Sequence, residues 1–377
     1  MVGALKKKEF GKAKVLLEQP NLNEIQISSY QWFLKEGLKE ILDEVSPIRD
    51  HTGKELELHF EGYRFDKPRY DEATARFREM TYEAPLRVQL RLVDKKNGTS
   101  QTQEIYFGDF PLMTDRGTFI INGVERVVVS QLVRSAGVYF TMFPYRGRRL
   151  FGAKVIPGRG AWLEFETEID GSIQVKIDRH RKVPVTSLLK VFGAGEREWK
   201  VLQEAGGKFW EATVAADPAT TLEEAYLQIY RRLRPGDPAT PQTAKNMIDG
   251  LFQRFDRYDI SAVGRFKLNR RLGFSDNKDN RLLDLEDLVA IVKEIMRLNS
   301  DPDAEPDDID HLGNRRLRAV GELLQSRLRL GFARLRRIVQ DRMSTYDRDT
   351  LTIAQLVNAR PILAVIKEFF SSSQLSQ

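Results

Sequence analysis

The spacing of apolar residues changes along this chain, and that change limits the folds available to it. Residues 86–92 alternate apolar and polar side chains, which is the period of a β-strand with one buried face. Residues 95–98, Lys-Lys-Asn-Gly, favour a turn, and residues 103–107 return to strand-favouring types. The sequence therefore predicts a β-hairpin in a strand-rich region that extends to about residue 132.

Further strands are predicted on both sides of residue 132. One covers residues 118–121, an Asn-Gly turn follows at 122–123, and a strand resumes over residues 125–132. Between residues 137 and 185, strand-like runs alternate with glycines. Short runs of this kind separated by turn residues are typical of antiparallel sheets.

Other segments have apolar residues at intervals of three and four, which is the period of an amphipathic helix. The predicted helices cover residues 21–38, 188–192, 222–233, 244–255 and 316–343, the first with Asn21 or Asn23 as its N-cap. Because strands and helices occupy largely separate parts of the chain, the sequence predicts an α+β fold. A length of 377 residues is enough for two or three domains.

The composition excludes several classes of protein. Cysteine is absent, which rules out disulfides, thiolate metal sites and cysteine nucleophiles. No stretch approaches the ~20 apolar residues that cross a bilayer, and the N-terminal residues lack the apolar segment of a secretory signal. We therefore expect a cytoplasmic protein without membrane contact. The net charge of +6, from 60 basic and 54 acidic residues, permits nucleic-acid binding without requiring it.

No common catalytic motif occurs in the sequence. It lacks a GxxxxGKS/T phosphate loop, a GxSxG elbow and a dinucleotide-binding glycine triplet, and its four histidines are scattered. One acidic cluster could hold Mg²⁺, but a flexible acidic loop explains it better, because neighbouring acids on a loop repel one another. The cluster comprises Asp303, Glu305, Asp307, Asp308 and Asp310. We therefore predict neither a metal site nor a catalytic residue.

Residues 316–343 are rich in arginine and poor in acids. Guanidinium groups pair with phosphate oxygens whatever the base, so this segment is a candidate for nucleic-acid contact. A solvated helix face is an equal alternative. The arginines are Arg327, Arg329, Arg334, Arg336, Arg337 and Arg342.

Two further basic clusters have similar alternatives. One combines Arg146, Arg148, Arg149 and Lys154 with Tyr139, Phe140, Phe143 and Tyr145. Interleaved aromatic and basic residues suit a track for single-stranded DNA, and a core strand pair with a basic turn explains them equally well. In residues 178–182, Asp-Arg-His-Arg-Lys, the acid could accept a hydrogen bond from a nucleobase, although a surface turn is the simpler interpretation.

A set of short motifs resembles, in the same order, motifs of the bacterial RNA polymerase beta subunit family. They are YEAPL at 82–86, FPLMT at 110–114, FIINGVERV at 119–127, VSQL at 129–132 with Arg134-Ser135, RGAW at 159–162, RYD at 257–259, VGR at 263–265, DDIDHLGNRR at 307–316 and FFSSSQLSQ at 369–377. One such motif would be modest evidence. The collinear set is specific and covers nearly the whole chain.

The resemblance implies two domains. Residues 18–132 with 318–377 would form the protrusion, of helices and antiparallel sheet, and residues 133–317 the inserted lobe, of mixed α/β structure. Both would wall the DNA cleft without a catalytic centre. No cofactor is expected here, because the Mg²⁺ of the whole polymerase belongs to the beta-prime subunit. The implied partners are DNA and the beta-prime, alpha and sigma subunits.

The resemblance also implies three binding sites. A pocket for an unpaired guanine of the nontemplate strand would comprise Arg134, Trp162, Asp178, Ile309, Asp310 and Arg315. One wall of the rifamycin pocket, beside the path of nascent RNA, would comprise Arg126, Val129, Arg318, Ser373, Gln374, Leu375, Ser376 and Gln377. Ser100, Gln101 and Thr102 match an edge strand where the transcription-repair coupling factor and related regulators dock, although charged residues are often found there.

The chain departs from the family pattern at Val133, Ala136 and Gly158, where histidine, proline and a larger residue are common. These departures leave the details of nearby DNA contacts open. Because the sequence stops at Gln377, soon after a helical pattern, we expect a truncated chain that does not bind rifamycins. The alternative function is a free-standing nucleic-acid-binding transcription regulator.

Overall fold

The computed structural model describes residues 20–275, 278–345 and 351–377, and the chain divides into two compact units. Unit 1 takes the residues before Leu132 together with Arg318–Gln377, and unit 2 is Leu132–Leu317. Each unit has its own buried apolar core. Both contain helices and antiparallel strands, so the predicted α+β class is confirmed.

Unit 1 contains the first and the last elements of the chain. Its helices are α1 (Glu24–Trp32), α2 (Leu38–Val45), α3 (Glu72–Phe77), α10 (Val320–Thr345), α11 (Ile353–Leu356) and α12 (Arg360–Ser372). Its strands are β1 (Ile48–Arg49), β2 (Leu56–Phe65), β3 (Glu83–Asp94), β4 (Thr99–Pro111), β5 (Phe119–Ile121) and β6 (Val124–Arg126).

Unit 2 contains the middle elements. Its strands are β8 (Gly137–Tyr145), β9 (Arg148–Ile156), β10 (Leu163–Thr167), β11 (Ile173–Ile177) and β12 (Val183–Pro184). Its helices are α4 (Val185–Val191), α5 (Glu196–Ala215), α6 (Leu222–Leu233), α7 (Pro241–Phe252), α8 (Ser261–Leu272) and α9 (Leu285–Ser300). Strands β7 (Gln131–Arg134) and β13 (Arg315–Arg318) pair where the chain passes from one unit to the other.

A four-stranded antiparallel sheet in the order β1-β2-β3-β4 forms the centre of unit 1. The predicted hairpin is β3 and β4, and the Asp94 carboxylate fixes its turn by accepting from the backbone N–H groups of Lys96 (2.9 Å) and Asn97 (3.1 Å). Alternate residues of β3 are buried, so the period of two marks the core face: Leu86, Val88, Leu90 and Leu92. Phe332 of α10 packs on this face, 6.1 Å from the Phe60 ring centroid.

The predicted helix over residues 21–38 is present but is longer and not uniform. It begins at Glu24, passes through a π-helical turn at Phe33–Gly37 and ends as α2 at Val45. Asn23 is the N-cap residue, without a hydrogen bond from its side chain to the helix. The π turn buries Phe33, which is stacked on Phe110 at 5.7 Å between ring centroids.

The β5–β6 hairpin corrects the predicted strand at residues 125–132. Asn122 and Gly123 both have positive φ, 50° and 79°, as a two-residue hairpin turn requires. The strand then ends at Arg126. Val128 is buried and bridges to Ser376, whereas its two valine neighbours are exposed. The three valines therefore belong to a pairing with the C-terminal residues and not to one continuous strand.

Unit 2 is built on a five-stranded antiparallel sheet in the order β12-β11-β10-β9-β8, with helices packed around it. The predicted helices appear as α4, α6 and α7, and α7 begins three residues earlier than predicted, after its Thr240 cap. Helices α5, α8 and α9 were not predicted. No helix in the described ranges combines the length and apolar character needed to cross a bilayer.

The predicted helix at residues 316–343 is wrong at its start. Residues 315–318 form strand β13, and the helix begins only at Val320. These residues pair with β7, so the arginines at 315, 316 and 318 are on a strand and not on the helix.

Candidate nucleic-acid interface

Four of the six residues matched to the guanine pocket lie around β7 and β13. Arg134 Nη2 is 3.2 Å from Asp310 Oδ1, and Arg315 Nη2 donates to the Leu132 carbonyl at 3.2 Å. Ile309 is half-buried beside Asp310. The structure therefore brings together residues from two distant parts of the sequence, 132–134 and 309–315.

The Arg134–Asp310 ion pair is open to solvent. The Asp310 side chain is 74% exposed and that of Arg134 is 40% exposed. Exposed ion pairs contribute about 0–1 kcal/mol, so a ligand can replace this one at little cost. The carboxylate can then accept from N–H groups of a nucleobase, and the guanidinium can pair with a phosphate oxygen.

The loop that carries Asp310 is fixed by its own hydrogen bonds. Asp308 Oδ1 accepts from the Asp310 backbone N–H (3.0 Å), and Asn314 Nδ2 donates to the Asp308 carbonyl (2.7 Å). Lys267 of α8 donates from Nζ to the Gly313 carbonyl at 2.9 Å, and burial lowers the pKa of its ammonium group. Asp310 is thus held in position before any ligand arrives.

The preceding acidic residues lie in a loop, as predicted, and the carboxylate of one of them, Asp307, binds groups of the protein itself. Asp307 Oδ2 accepts from the Phe140 backbone N–H at 2.8 Å, and both carboxylate oxygens lie 3.2 Å from Arg271 Nε. Arg149 donates to two carbonyls of this loop, those of Pro302 (2.9 Å) and Ala304. Among the described residues, no three or more His, Asp or Glu side chains converge as a metal site would require.

The other two matched residues, Trp162 and Asp178, lie at adjoining ends of β10 and β11. Leu163 is opposite Ile177 in this strand pair, and the Asp178 N–H donates to the Trp162 carbonyl at 2.8 Å. The Arg179 guanidinium lies 5.9 Å from the Trp162 ring centroid. A half-buried indole and an exposed carboxylate are therefore adjacent.

Helix α8 contacts residues that lie next to each group of matched residues in the sequence. A Cβ atom on Gly264 would lie 2.9 Å from the Cβ of Ala136, in the segment after β7. A Cβ atom on Gly158, in the loop before β10, would lie 2.9 Å from the Cβ of Ser261 at the start of α8. Two departures from the family pattern, Ala136 and Gly158, are thus in close contacts that a larger side chain would disturb.

The segment just before Trp162 in the sequence is held by residues to which the sequence gave no individual role. Arg159 and Asp259 exchange backbone hydrogen bonds of 2.9 and 2.8 Å, and the Asp259 carboxylate accepts from Arg281 Nε at 3.0 Å. The first two belong to the RGAW and RYD motifs. Nothing in their spacing indicates that the two motifs pair.

Residues matched to the rifamycin pocket meet near the C-terminal end of α12. Val127 N–H donates to the Gln377 carbonyl at 2.7 Å and the reverse bond is 3.0 Å, while Val129 N–H donates to the Leu375 carbonyl at 2.8 Å. Arg126 Nη1 donates to the Phe370 carbonyl at 3.1 Å. Pairing of these two distant segments is therefore a property of unit 1.

The same region contains a cavity of about 390 Å³. Its lining includes Ser373, Gln374, Leu375, Gln131 and Arg327. Ser376 is buried and donates from Oγ to the Phe370 carbonyl at 3.0 Å. Arg318 instead bonds to Ser326 in the first turns of α10.

Ser100, Gln101 and Thr102 lie on β4, at the edge of the sheet. Their side chains are exposed, and opposite them in β3 are Val93, Leu92 and Arg91, respectively. Antiparallel pairing uses one side of β4, so alternate backbone N–H groups on its other side face outward.

The arginines of α10 divide into two sets. Arg329 pairs with Glu44 at 2.9 Å, Arg342 donates to the Gln355 carbonyl at 2.6 Å, and Arg336 also has a partner. The second set is exposed along the helix: Arg327, Arg334 and Arg337. Arg329 and Arg342 thus tie α10 to other elements of unit 1, and the second set remains as a candidate for phosphate contact.

Comparisons with known proteins show the family to which this chain belongs. The family model described as RNA polymerase beta subunit matches residues 21–364. A DNA-directed RNA polymerase subunit beta of Syntrophomonas wolfei is 47% identical over 100% of this chain, and one of Chloroflexus aggregans is 45% identical over 99%. The chain spans about a third of these relatives, 34% and 33% of their lengths. This chain belongs to the RNA polymerase beta subunit family.

Proposed function

We propose that this chain is the noncatalytic N-terminal part of an RNA polymerase beta subunit, which acts in transcription by holding DNA and docking regulators. Unit 1 corresponds to the protrusion and unit 2 to the lobe. Both contribute walls of the DNA cleft in a cytoplasmic enzyme that includes the beta-prime, alpha and sigma subunits. The catalytic Mg²⁺ of that enzyme belongs to the beta-prime subunit.

The observation that carries this proposal is the placement of the six residues matched to the guanine pocket. All of them belong to unit 2, although they span residues 134 to 315 of the sequence. They fall into two contact groups, one around β7 and β13 and one at the ends of β10 and β11, and residues next to each group contact helix α8. The contact between Arg134 and Asp310 joins residues 176 positions apart in the sequence, which supports a shared site.

The chemistry of the two groups suits an unpaired guanine. The Trp162 indole offers a stacking surface, and base stacking on an aromatic ring contributes about 1–3 kcal/mol. The carboxylates of Asp178 and Asp310 can accept hydrogen bonds from the N–H groups of guanine, which uracil, thymine and cytosine do not present in the same arrangement. Arg134 and Arg315 can hold the adjacent phosphates.

The test is binding of fluorescent oligo(dT) that carries one central guanine, compared with the same strand without it. The native chain should prefer the guanine strand, and Trp162→Ala should reduce that preference by about 5- to 100-fold, as loss of one stacked base implies. The dependence of affinity on salt should hardly change, because no phosphate contact is removed.

Trp162→Phe is the matched control, because it keeps an aromatic face and should retain part of the preference. Circular dichroism shows whether each variant is folded. If Trp162→Ala keeps the guanine preference and instead loses the salt dependence, the assignment of Trp162 is wrong.

The exposed edge of β4 supports a second role, the docking of a protein that supplies a strand of its own. Free backbone groups at a sheet edge can pair with such a strand, and the polar side chains there keep it soluble when unoccupied. The partner we propose is the interaction domain of a transcription-repair coupling factor or a related regulator. Since Ser100, Gln101 and Thr102 are uncharged, that partner should present a less charged surface than is common.

The paired segments at residues 126–129 and 373–377 support a third role, as one wall of the path of nascent RNA. The backbone pairing holds the Arg126 side chain against the carbonyl of Phe370. The wall that rifamycins use would be completed by parts of the subunit beyond this chain, so we expect no drug binding by the chain alone.

A further inference from the structure

The tip of the β8–β9 hairpin, residues 143–150, contains none of the residues matched to the guanine pocket. Tyr145 and Arg148 form its last strand pair, and Arg146 and Gly147 form its turn. Both turn residues have positive φ, 46° and 77°, as in the two-residue turns that match the twist of a hairpin. The register of the side chains on the two strands is therefore fixed.

One face of this tip is tied to the rest of unit 2. Arg149, opposite Pro144, donates to the Pro302 carbonyl at 2.9 Å, and its guanidinium lies 5.4 Å from the ring centroid of the buried Phe151. Because side chains alternate across a strand, Phe143, Tyr145 and Arg148 belong to the opposite face.

That opposite face presents two aromatic rings to solvent. Phe143 is 46% exposed and Tyr145 is 38% exposed. As residues two apart on a strand, their side chains emerge about 7 Å from each other. Exposed rings in such a row provide separate stacking surfaces for successive bases, and stacking does not depend on which base is present.

The charge at the tip is wholly basic. Residues 145–149 contain three arginines and no acid. Arg146 lies over the Tyr145 ring, 5.4 Å from its centroid, and neither Arg146 nor Arg148 forms an ion pair with a carboxylate in the described part of the chain. These guanidinium groups are available to pair with phosphates on either side of a stacked base.

We propose that the hairpin tip is a second site for single-stranded DNA, one that reads no base. Bases stack on Phe143 and Tyr145, and Arg148 pairs with a phosphate. The proposal rests on the proposed function of unit 2 as a DNA-contacting domain but uses different residues and a different chemistry from the guanine pocket. Acidic peptides are a less suitable ligand, because they would leave the two rings without a role.

The experiment measures binding of fluorescent oligo(dT), about 12 nucleotides long, to the full chain by anisotropy at several salt concentrations. The double variant Phe143→Ala/Tyr145→Ala should bind at least about tenfold more weakly with an unchanged salt slope. Arg148→Ala should instead reduce the slope of log K against log salt by about 0.7, the value for one phosphate contact on a single strand. Tyr145→Phe keeps the ring and should bind like the native chain.

Matched controls come from elsewhere on the surface. Phe77→Ala removes an exposed ring in unit 1, and Arg232→Ala removes an exposed arginine of α6; neither should change oligo(dT) binding. The proposal is overturned if the native chain does not bind oligo(dT), if the folded double variant binds it equally well, or if polyglutamate competes as effectively as DNA. If Trp162→Ala removes the guanine preference but the Phe143 and Tyr145 variants change nothing, the hairpin site alone is overturned. If the Phe143 and Tyr145 variants weaken binding but Trp162→Ala does not change the guanine preference, the guanine pocket alone is overturned.

Discussion

Position 160 accepts only glycine, and the reason is visible in its surroundings. Gly160 has φ of 117°, which side chains rarely adopt, and a Cβ atom there would lie 2.6 Å from Tyr258 Cδ2 and 2.9 Å from the Arg257 carbonyl oxygen. We predict that Gly160→Ala destabilises unit 2 by about 2–5 kcal/mol, from backbone strain plus overpacking. Urea unfolding followed by tryptophan fluorescence measures this change.

Gly147→Ala separates the two causes. Gly147 also has positive φ, 77°, but a Cβ atom there would meet nothing within 4 Å. Gly147→Ala should therefore lower the free energy of unfolding through backbone strain alone, by about 1–2 kcal/mol. Equal losses for the two variants would show that the contact with Tyr258 does not matter.

Individual residue roles were only partly predictable from the sequence. The composition near residue 149 indicated a basic cluster, but it could not indicate that Arg149 donates to carbonyls of a loop more than 150 residues away while Arg148 stays exposed. Because side chains alternate along a strand, Arg148 and Arg149 lie on opposite faces of β9. Which of the two faces packs against the rest of unit 2 depends on the tertiary fold. Asp307 is similar, since its bond to the Phe140 backbone has no local signal.

At the scale of elements, the edge of β4 gives a prediction about proline. Successive residues of an antiparallel edge strand direct their N–H groups alternately inward and outward, so one of Gln101 and Thr102 donates to β3 and the other faces a partner. Proline at the outward position should leave the fold intact and weaken docking, and proline at the inward position should destabilise the hairpin. Calorimetry with the interaction domain of a transcription-repair coupling factor, alongside thermal unfolding, measures both effects for Gln101→Pro and Thr102→Pro.

Ser100→Ala is the control for this pair, because it keeps the backbone N–H; it should leave stability unchanged and preserve the part of docking that depends on backbone pairing. Native affinity in a folded proline variant at the outward position would exclude this edge as the docking surface.

Elements with a regular apolar period were predictable, and those with a polar buried face were not. Helix α6 occupies the predicted residues, Leu222–Leu233, because its buried face is apolar. Helix α8 buries Arg265 and Asn269, and Arg265 forms a 2.7 Å ion pair with the buried Asp287, so its apolar pattern is weak. Helix α9 was not predicted, although its sequence carries a clear apolar stripe and an N-cap, Asp284, from which it could have been.

The site as a whole could not have been derived from spacing. Motifs that are more than a hundred residues apart come together in unit 2, among them the residues around Arg134 and those around Asp310. Periodicity predicts elements within about 20 residues, whereas the positions of loops relative to one another depend on sheet order and helix packing. The resemblance to a family supplied this long-range information, and the contacts in unit 2 are consistent with it.

For the whole molecule, we predict that the chain by itself does not synthesise RNA. Nucleotidyl transfer requires metal ions held by converging carboxylates, and the acidic loop of unit 2 instead uses Asp307 and Asp308 to hold backbone and arginine groups. Incubation with a primed template, Mg²⁺ and four nucleotides should give no primer extension. A complete polymerase is the positive control, and circular dichroism shows that the same preparation is folded. Extension that depends on the chain, and that persists after further purification, would mean that a catalytic centre lies within these 377 residues.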